Sequence, residues 1–331
     1  MSIRETLLLG RAEVRRLLSM ADALRVVEPA FAAHGRKETR MPAKIYLDLP
    51  EFGGDFRAMP AYIPSLKAAG MKWVSSHSRN PGQGRPAVIA VLILSDPETA
   101  EPLAVMDATF LTLMRTGAAG GIAAKVLSRA DSTCLALIGA GVQSHAQLEA
   151  IRSVRAITSV RLHDPNPAAR ESFHARFQGA GLEITDAPTA AEAVEGADII
   201  VTTTPSRRPV VNRSHLADGV HINAIGADAP GKQELDEAIL RDAQVFVDDR
   251  QQTFHSGEVN VPLSQGRLKA EEIQGTLGEV VAGTIQGRTS RAAVTVFDST
   301  GLAVQDMAVA RAVYERAVEQ KAGITFPLAC E

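Results

Sequence analysis

The chain has 331 residues, 45% hydrophobic and 22% charged, with 35 Lys+Arg against 38 Asp+Glu for a formal net charge of −3. At roughly 150 residues per domain this is the make-up of a soluble globular protein of about two domains, which excludes a disordered chain and a strongly basic nucleic-acid binder. No membrane span is expected, because the longest uninterrupted apolar run, residues 88–94, falls far short of the roughly 20 residues needed to cross a bilayer. Leu7-Leu8-Leu9 is too short for a signal-peptide core and is followed by Arg11, Glu13, Arg15 and Arg16. Two cysteines, Cys134 and Cys330, offer neither a disulfide framework nor a cysteine-rich metal site, so a reducing, cytoplasmic home is expected.

In chain order, Val14, Leu17, Leu18, Ala21, Leu24, Val27 and Phe31 recur at helical spacing and predict one helix over 12–35. Residues 41–95 alternate short apolar runs with Gly and Pro punctuation, the pattern of a mostly antiparallel sheet. Small residues dominate 116–125 and predict a closely packed helix. From 133 the period alternates. Strands are predicted at 133–138, 159–163, 184–185, 199–203, 220–225 and 245–247, with helices at 143–152, 168–177 and 190–195. Such alternation makes a doubly wound parallel sheet, an α/β Rossmann arrangement. A last helix over 301–320, apolar at Leu302, Val304, Met307, Val309, Ala310 and Val313, returns to the N-terminal region. The expected domains are therefore 1–115 with 302–331, a smaller α+β unit, and 116–301, the nucleotide-binding unit.

The sharpest motif is the strand 133–138 running into Gly139-Ala140-Gly141-Val142-Gln143-Ser144, followed by a helix. Glycines there allow a tight turn and close approach of backbone amides to a pyrophosphate, and the helix N-terminus adds partial positive charge. Asp164 ends the next strand, 164 − 139 = 25 positions after the first glycine, where a carboxylate receives ribose hydroxyls and repels a 2′-phosphate. NAD is thus favoured over NADP, moderated by Arg161 and Arg170 nearby. Three polar stretches, 202–206, 223–228 and 297–301, lie at strand ends or before the last helix. Together they would surround the nicotinamide end of a cofactor; singly, their hydroxyls could serve as caps.

These residues, with Arg57-Ala58-Met59-Pro60, Lys72-Trp73-Val74, Arg115-Thr116-Gly117-Ala118-Ala119 and Asn223 through Leu235, give the chain a full-length resemblance to the ornithine cyclodeaminase/μ-crystallin family. The wording is closest to the archaeal-type alanine dehydrogenases within it. The resemblance implies an antiparallel N-terminal sheet for substrate binding and homodimerisation, and a Rossmann domain for NAD. It implies Lys72 and Asp228 as the acid–base pair. Cofactor contacts would come from Arg115, Thr116, Gly139, Gly141, Val142, Gln143, Asp164, Thr204, Ser206, Asn223, Ala224, Ile225, Lys232 and Ser299. Substrate contacts would come from Lys44, Arg57, Lys72 and Thr300. Arg57 stands where cyclodeaminases carry a glutamate for the ornithine amine, and Lys44 where they carry a carboxylate-binding arginine. Both departures favour a small or acidic amino acid over ornithine.

Oxidising an amino acid at Cα requires a held carboxylate, a neutral amine and water for the imine. Lys44, Arg57 and Lys72 could supply the charge and Asp228 the proton transfer, with hydride left to the cofactor. The expected function is an NAD-dependent amino-acid dehydrogenase working on L-alanine, or aminating a small oxo acid such as pyruvate. The alternatives are an ornithine cyclodeaminase, an imine or iminosuccinate reductase, and a non-enzymatic cofactor-binding protein. Taken without the resemblance, Lys72 could be a strand residue with its head in water, Asp228 the start of a turn, and Arg57 and Lys44 surface charges. His77, His163 and His255 show no metal-ligand spacing, and no Gly-x-Ser-x-Gly elbow is present.

Overall fold

The computed structural model describes residues 5–328, so Cys330 lies outside the described residues. The chain divides into two units. One runs through Arg115 and resumes at Leu302; the other is Thr116–Gly301. Among the described residues no helix is long and apolar enough to cross a membrane.

The first unit is built on a seven-stranded sheet, in the order Ile324–Phe326, Thr6–Leu9, Pro102–Asp107, Val88–Ser95, Ala68–His77, Gly54–Ile63 and Ile45–Leu49. Every pairing is antiparallel except that of Thr6–Leu9 with Pro102–Asp107. Period-two alternation gives the sheet two different faces. On the inner face Met59 opposes Lys72 and Lys72 opposes Leu92. The helices Met20–Gly35 and Ala303–Glu319 belong to this unit, the second packing on the first and on the strands Gly54–Ile63, Ala68–His77 and Val88–Ser95. The N-terminal half of Ala303–Glu319 is buried on all sides, Gln305 and Asp306 included. The outer face carries Ile45, Leu47, Trp73, Ile89, Val91 and Ile93, all exposed, with Phe56 stacked on Trp73 at 5.1 Å.

The single helix expected over 12–35 is two helices, Arg11–Leu17 and Met20–Gly35. Ser19 breaks the run: its hydroxyl accepts from the Asp22 amide and the Asp22 carboxylate accepts from the Ser19 amide, a reciprocal cap whose satisfied donors outweigh helix continuity. Thr6–Leu9, noted in sequence only as too short for a leader, is a strand, as is Ile324–Phe326. The small-residue helix is longer than expected, Thr109–Leu127.

The second unit is an eight-stranded, all-parallel sheet. Its order is Ile273–Thr276, Gln244–Val247, Thr295–Asp298, His221–Ala224, Ile199–Thr202, Cys134–Ile138, Ser159–His163 and Glu183–Asp186. Its central strands are almost wholly buried, hence the apolar runs of Cys134–Ile138 and of residues 199–201. Strand order reverses between Cys134–Ile138 and Ile199–Thr202, and ligands of such sheets sit beyond the carboxyl ends at that reversal.

Candidate active site

The glycine turn sits at this reversal. Gly139 has φ +103°, and a Cβ there would lie 2.7 Å from Thr203 Oγ1. Gly141 is the N-cap of helix Val142–Arg152, no side chain caps that end, and a Cβ on Gly141 would meet nothing within 4 Å. The start of this eleven-residue helix thus has no side-chain cap among the described residues and room beside Gly141, a geometry compatible with a pyrophosphate. Ser144, where the fingerprint often has its third glycine, is fully buried; its hydroxyl donates to the Gly139 carbonyl and lies 3.0 Å from Thr203 Oγ1. Asp164 accepts from the Ala140 amide (2.8 Å) and the Asn166 amide (2.8 Å), which fixes its carboxylate beside the turn. Neither nearby arginine claims that carboxylate. Arg161 donates to the Glu195 carbonyl, while Arg170 donates to Asp186 and to the backbone carbonyl of Asp164.

The two strand-end loops are clasped by Glu234. Its carboxylate accepts from Thr202 Oγ1 (2.7 Å), the Thr204 amide (2.6 Å) and the Gly226 amide (2.8 Å). Glu258 in turn accepts the Glu234 and Leu235 amides. Burial raises the pKa of Glu234, and burial with the charges of Glu234 and Asp298 raises that of Glu258 further. Asp228 lies just beyond, paired with Lys232 Nζ at 2.6 Å. Asn223 turns into the fold: its amide donates to the Gly120 carbonyl and its oxygen faces His221 Nε2 at 2.9 Å. Burial pushes His221 down to about 3, so that ring is neutral. Thr204 and Ser206 hydroxyls serve the local turn, Thr204 accepting from the Ser206 amide and Ser206 donating to the Arg208 carbonyl.

The 297–301 stretch is the end of strand Thr295–Asp298 and the turn after it. Ser299 is buried and its hydroxyl has no hydrogen-bond partner among the described residues, which leaves it able to receive one from a bound cofactor. Thr300 donates its amide and hydroxyl to Asp248, which also receives the Gly301 amide. Asp248, absent from the sequence reading, follows strand Gln244–Val247, and the strand-end rule could have found it.

In the first unit Lys72 does not keep its head in water. It is fully buried, with Nζ 2.9 Å from Oδ1 and 2.8 Å from Oδ2 of Asp306. Arg115 joins them, Nε 3.0 Å from Asp306 Oδ1 and Nη1 donating to Gln305. Burial pushes Lys72 down to about 7; Asp306 opposes this, whereas Arg115 and Lys44 reinforce it. Asp306 went unread because it lies inside an apolar helix. The signal was the adjacent polar pair Gln305-Asp306 amid Val304, Met307 and Val309. Arg57 is also buried, held by both oxygens of Asp55 and stacked over the Tyr46 ring.

The model of the ornithine cyclodeaminase/mu-crystallin family matches residues 4–321. An alanine dehydrogenase of Archaeoglobus fulgidus is 49% identical over 319 residues, spanning 96% of this chain and 97% of that one. Among solved structures, an archaeal alanine dehydrogenase dimer with bound NAD superposes at TM-score 0.94 with 48% identity, covering 98% of this chain and 100% of that one. A Thermococcus litoralis Δ1-pyrroline-2-carboxylate reductase with NADH and L-proline gives TM-score 0.94 at 35% identity, covering 97% and 100%. The glycine turn, the Asp164 carboxylate, the orphaned Ser299 hydroxyl and the buried lysine–aspartate pair thus stand in a chain that belongs to the ornithine cyclodeaminase/mu-crystallin family.

Proposed function

We propose that this protein is an NAD-dependent amino-acid dehydrogenase converting L-alanine, NAD+ and water to pyruvate, ammonium, NADH and a proton, or running the reverse with a small oxo acid. The observation that carries the reading is the wholly buried Lys72, held by Asp306 and Arg115, with its pKa pushed down to about 7. A lysine whose pKa is lowered toward neutrality by burial is suited to giving up and taking back a proton, as acid–base work requires. Protonated, it polarises the oxo group of the acid; neutral, it takes a proton from the substrate amine. Asp228 moves the proton of the water that attacks the imine, with Lys232 holding its carboxylate. Lys44 adds positive charge for the substrate carboxylate, Arg57 and Thr300 complete the substrate contacts, and Arg115 stands on the cofactor side.

NAD supplies hydride acceptance when bound. In this reading the amides of Gly139 through Gln143 receive its pyrophosphate, Asp164 the adenosine ribose, and Asn223–Ile225 backbone, Lys232 and Ser299 the nicotinamide end. Thr204 and Ser206 shape the neighbouring loop. The fixed Asp164 carboxylate, with both arginines turned elsewhere, supports NAD over NADP. The unit from Thr116 to Gly301 is then the cofactor domain and the other unit the substrate and dimerisation domain. Two copies associate through the exposed apolar sheet face, since contiguous patches of this kind mark association surfaces. A cytoplasmic location completes the reading. The second reading is a cyclic-imine reductase, favoured by the likeness to the Thermococcus litoralis enzyme.

The test is NADH consumption by purified protein with pyruvate and ammonium, beside oxaloacetate with ammonium and Δ1-pyrroline-2-carboxylate. Consumption greatest with pyruvate supports the dehydrogenase. Consumption only with the cyclic imine replaces it by the second reading, and none with any substrate ends both.

A further inference from the structure

The strand Gly54–Ile63 carries a second charged group on the same sheet face as Lys72. Alternation sets Asp55, Arg57 and Met59 side by side on one face. Across the ladder Asp55 opposes Ser76, Arg57 opposes Val74 and Met59 opposes Lys72, while Tyr46 opposes Arg57 from the other side. Arg57 is therefore the diagonal neighbour of Lys72, about 7–8 Å away, within reach of the far end of a molecule held at Lys72.

What Arg57 offers there depends on Asp55. Nε lies 2.8 Å from Oδ1 and Nη2 lies 2.8 Å from Oδ2, a two-pronged pair. The side chains are 8% and 16% exposed, and the guanidinium stacks over Tyr46 with its carbon 5.4 Å from the ring centroid. A pair so shielded is screened little by salt, and its fork geometry is the strongest that arginine forms with a carboxylate.

We infer that Asp55 is a specificity-determining residue: by occupying the Nε and Nη2 donors of Arg57 it offsets the charge that Arg57 presents toward a substrate side chain, favouring small uncharged side chains. This rests on the dehydrogenase reading above. A substrate with a second carboxylate would compete with Asp55 for the same edge of the guanidinium and meet the Asp55 charge. A substrate with a terminal ammonium would find both Asp55 oxygens committed to Arg57 and would face the guanidinium. A methyl group meets neither penalty.

The two residues give reciprocal tests. Asp55→Asn releases the cation, and the ratio of kcat/KM for oxaloacetate over pyruvate, each with ammonium and NADH, rises at least tenfold. Arg57→Gln releases the anion, and the ratio for 2,4-diaminobutyrate over alanine with NAD rises at least tenfold. The double variant restores an uncharged pair and returns both ratios to within threefold of the parent, and Asp55→Glu, which keeps the fork partner, does not move them. Should Asp55→Asn not yield folded protein, Asp55→Ser makes the same test. An active parent whose ratios stay put in both single variants overturns the role of Asp55 alone. A parent inactive with every oxo acid removes the dehydrogenase reading and this inference with it.

Discussion

The glycine turn and the Lys72 cluster solve opposite problems. In the proposed reading the turn binds with backbone: Gly139, Gly141 and the first amides of helix Val142–Arg152 are contiguous, and side chains matter there by being absent. The cluster works with side chains alone, and its members come from three distant places: Lys72 on a strand, Arg115 on the helix Thr109–Leu127 and Asp306 on the helix Ala303–Glu319. A backbone site tolerates exposure because amide dipoles need no counter-charge. A buried ammonium without its carboxylate would be costly, since breaking such a pair is worth roughly 3–5 kcal/mol. One region is local, the other assembled from distant parts of the chain.

That contrast predicts separable losses. Lys72→Met should lower kcat by about 10²–10⁴-fold, the usual worth of positioned proton transfer, with the NADH Kd from fluorescence titration within about twofold of the parent. A Kd that weakens in step with kcat would dissolve the distinction. Gly139→Val should do the reverse. Strain of about 1–3 kcal/mol at a left-handed backbone position, added to the clash with Thr203, should weaken NADH binding by at least tenfold. The inflection of the pH–rate profile should stay in place.

Asp306→Asn should move that inflection. Burial lowers Lys72 to about 7 and Asp306 opposes the lowering, so removing the carboxylate charge drops Lys72 further. The inflection should shift to lower pH by about one unit, equivalent to about 1.4 kcal/mol, and an unmoved profile would show that Asp306 only packs. Folding stability carries the same signature. Between about pH 7 and the usual lysine range the unfolded chain binds the proton that folded Lys72 has released, so this group makes stability rise with pH across that window. The slope should flatten in Lys72→Met, measured as Tm against pH. The smallest effect belongs to a helix cap: Ser19→Ala should cost about 1 kcal/mol through loss of that cap, with kcat unchanged.

Legibility followed the same line. The turn, Asp164 and the alternating strands were readable because each signal is local: glycine spacing, an acid at a strand end, a period of two or 3.6. The break at Ser19 was local too, yet the apolar spacing masked the short Ser19-x-x-Asp22 cap. Asp306 and Asp55 were not readable as partners. Nothing in the chain near Lys72 announces a carboxylate that arrives 306 − 72 = 234 residues later, and an aspartate two positions before Arg57 reads equally well as a strand-end surface charge. Glu234 was quoted within a motif, but its grip on Thr204 and Gly226 depends on two loops meeting at the sheet edge. Lys72 itself shows how packing decides: the same strand could carry an exposed lysine, and only the helix laid across it makes the residue dry.

Lys72 and Trp73 are consecutive, yet one points into the buried face of the sheet and the other out of it. A change of side chain in this strand alters one property at a time. A change of length cannot: inserting or deleting one residue upstream of Lys72 would exchange the two orientations at once, presenting an indole to the charged cluster and an ammonium to the apolar surface. The stretch 68–77 is therefore expected to accept substitution far more readily than insertion or deletion, and a scan of single-residue indels would trace the segment over which the buried charged cluster and the exposed apolar face are locked to a common phase.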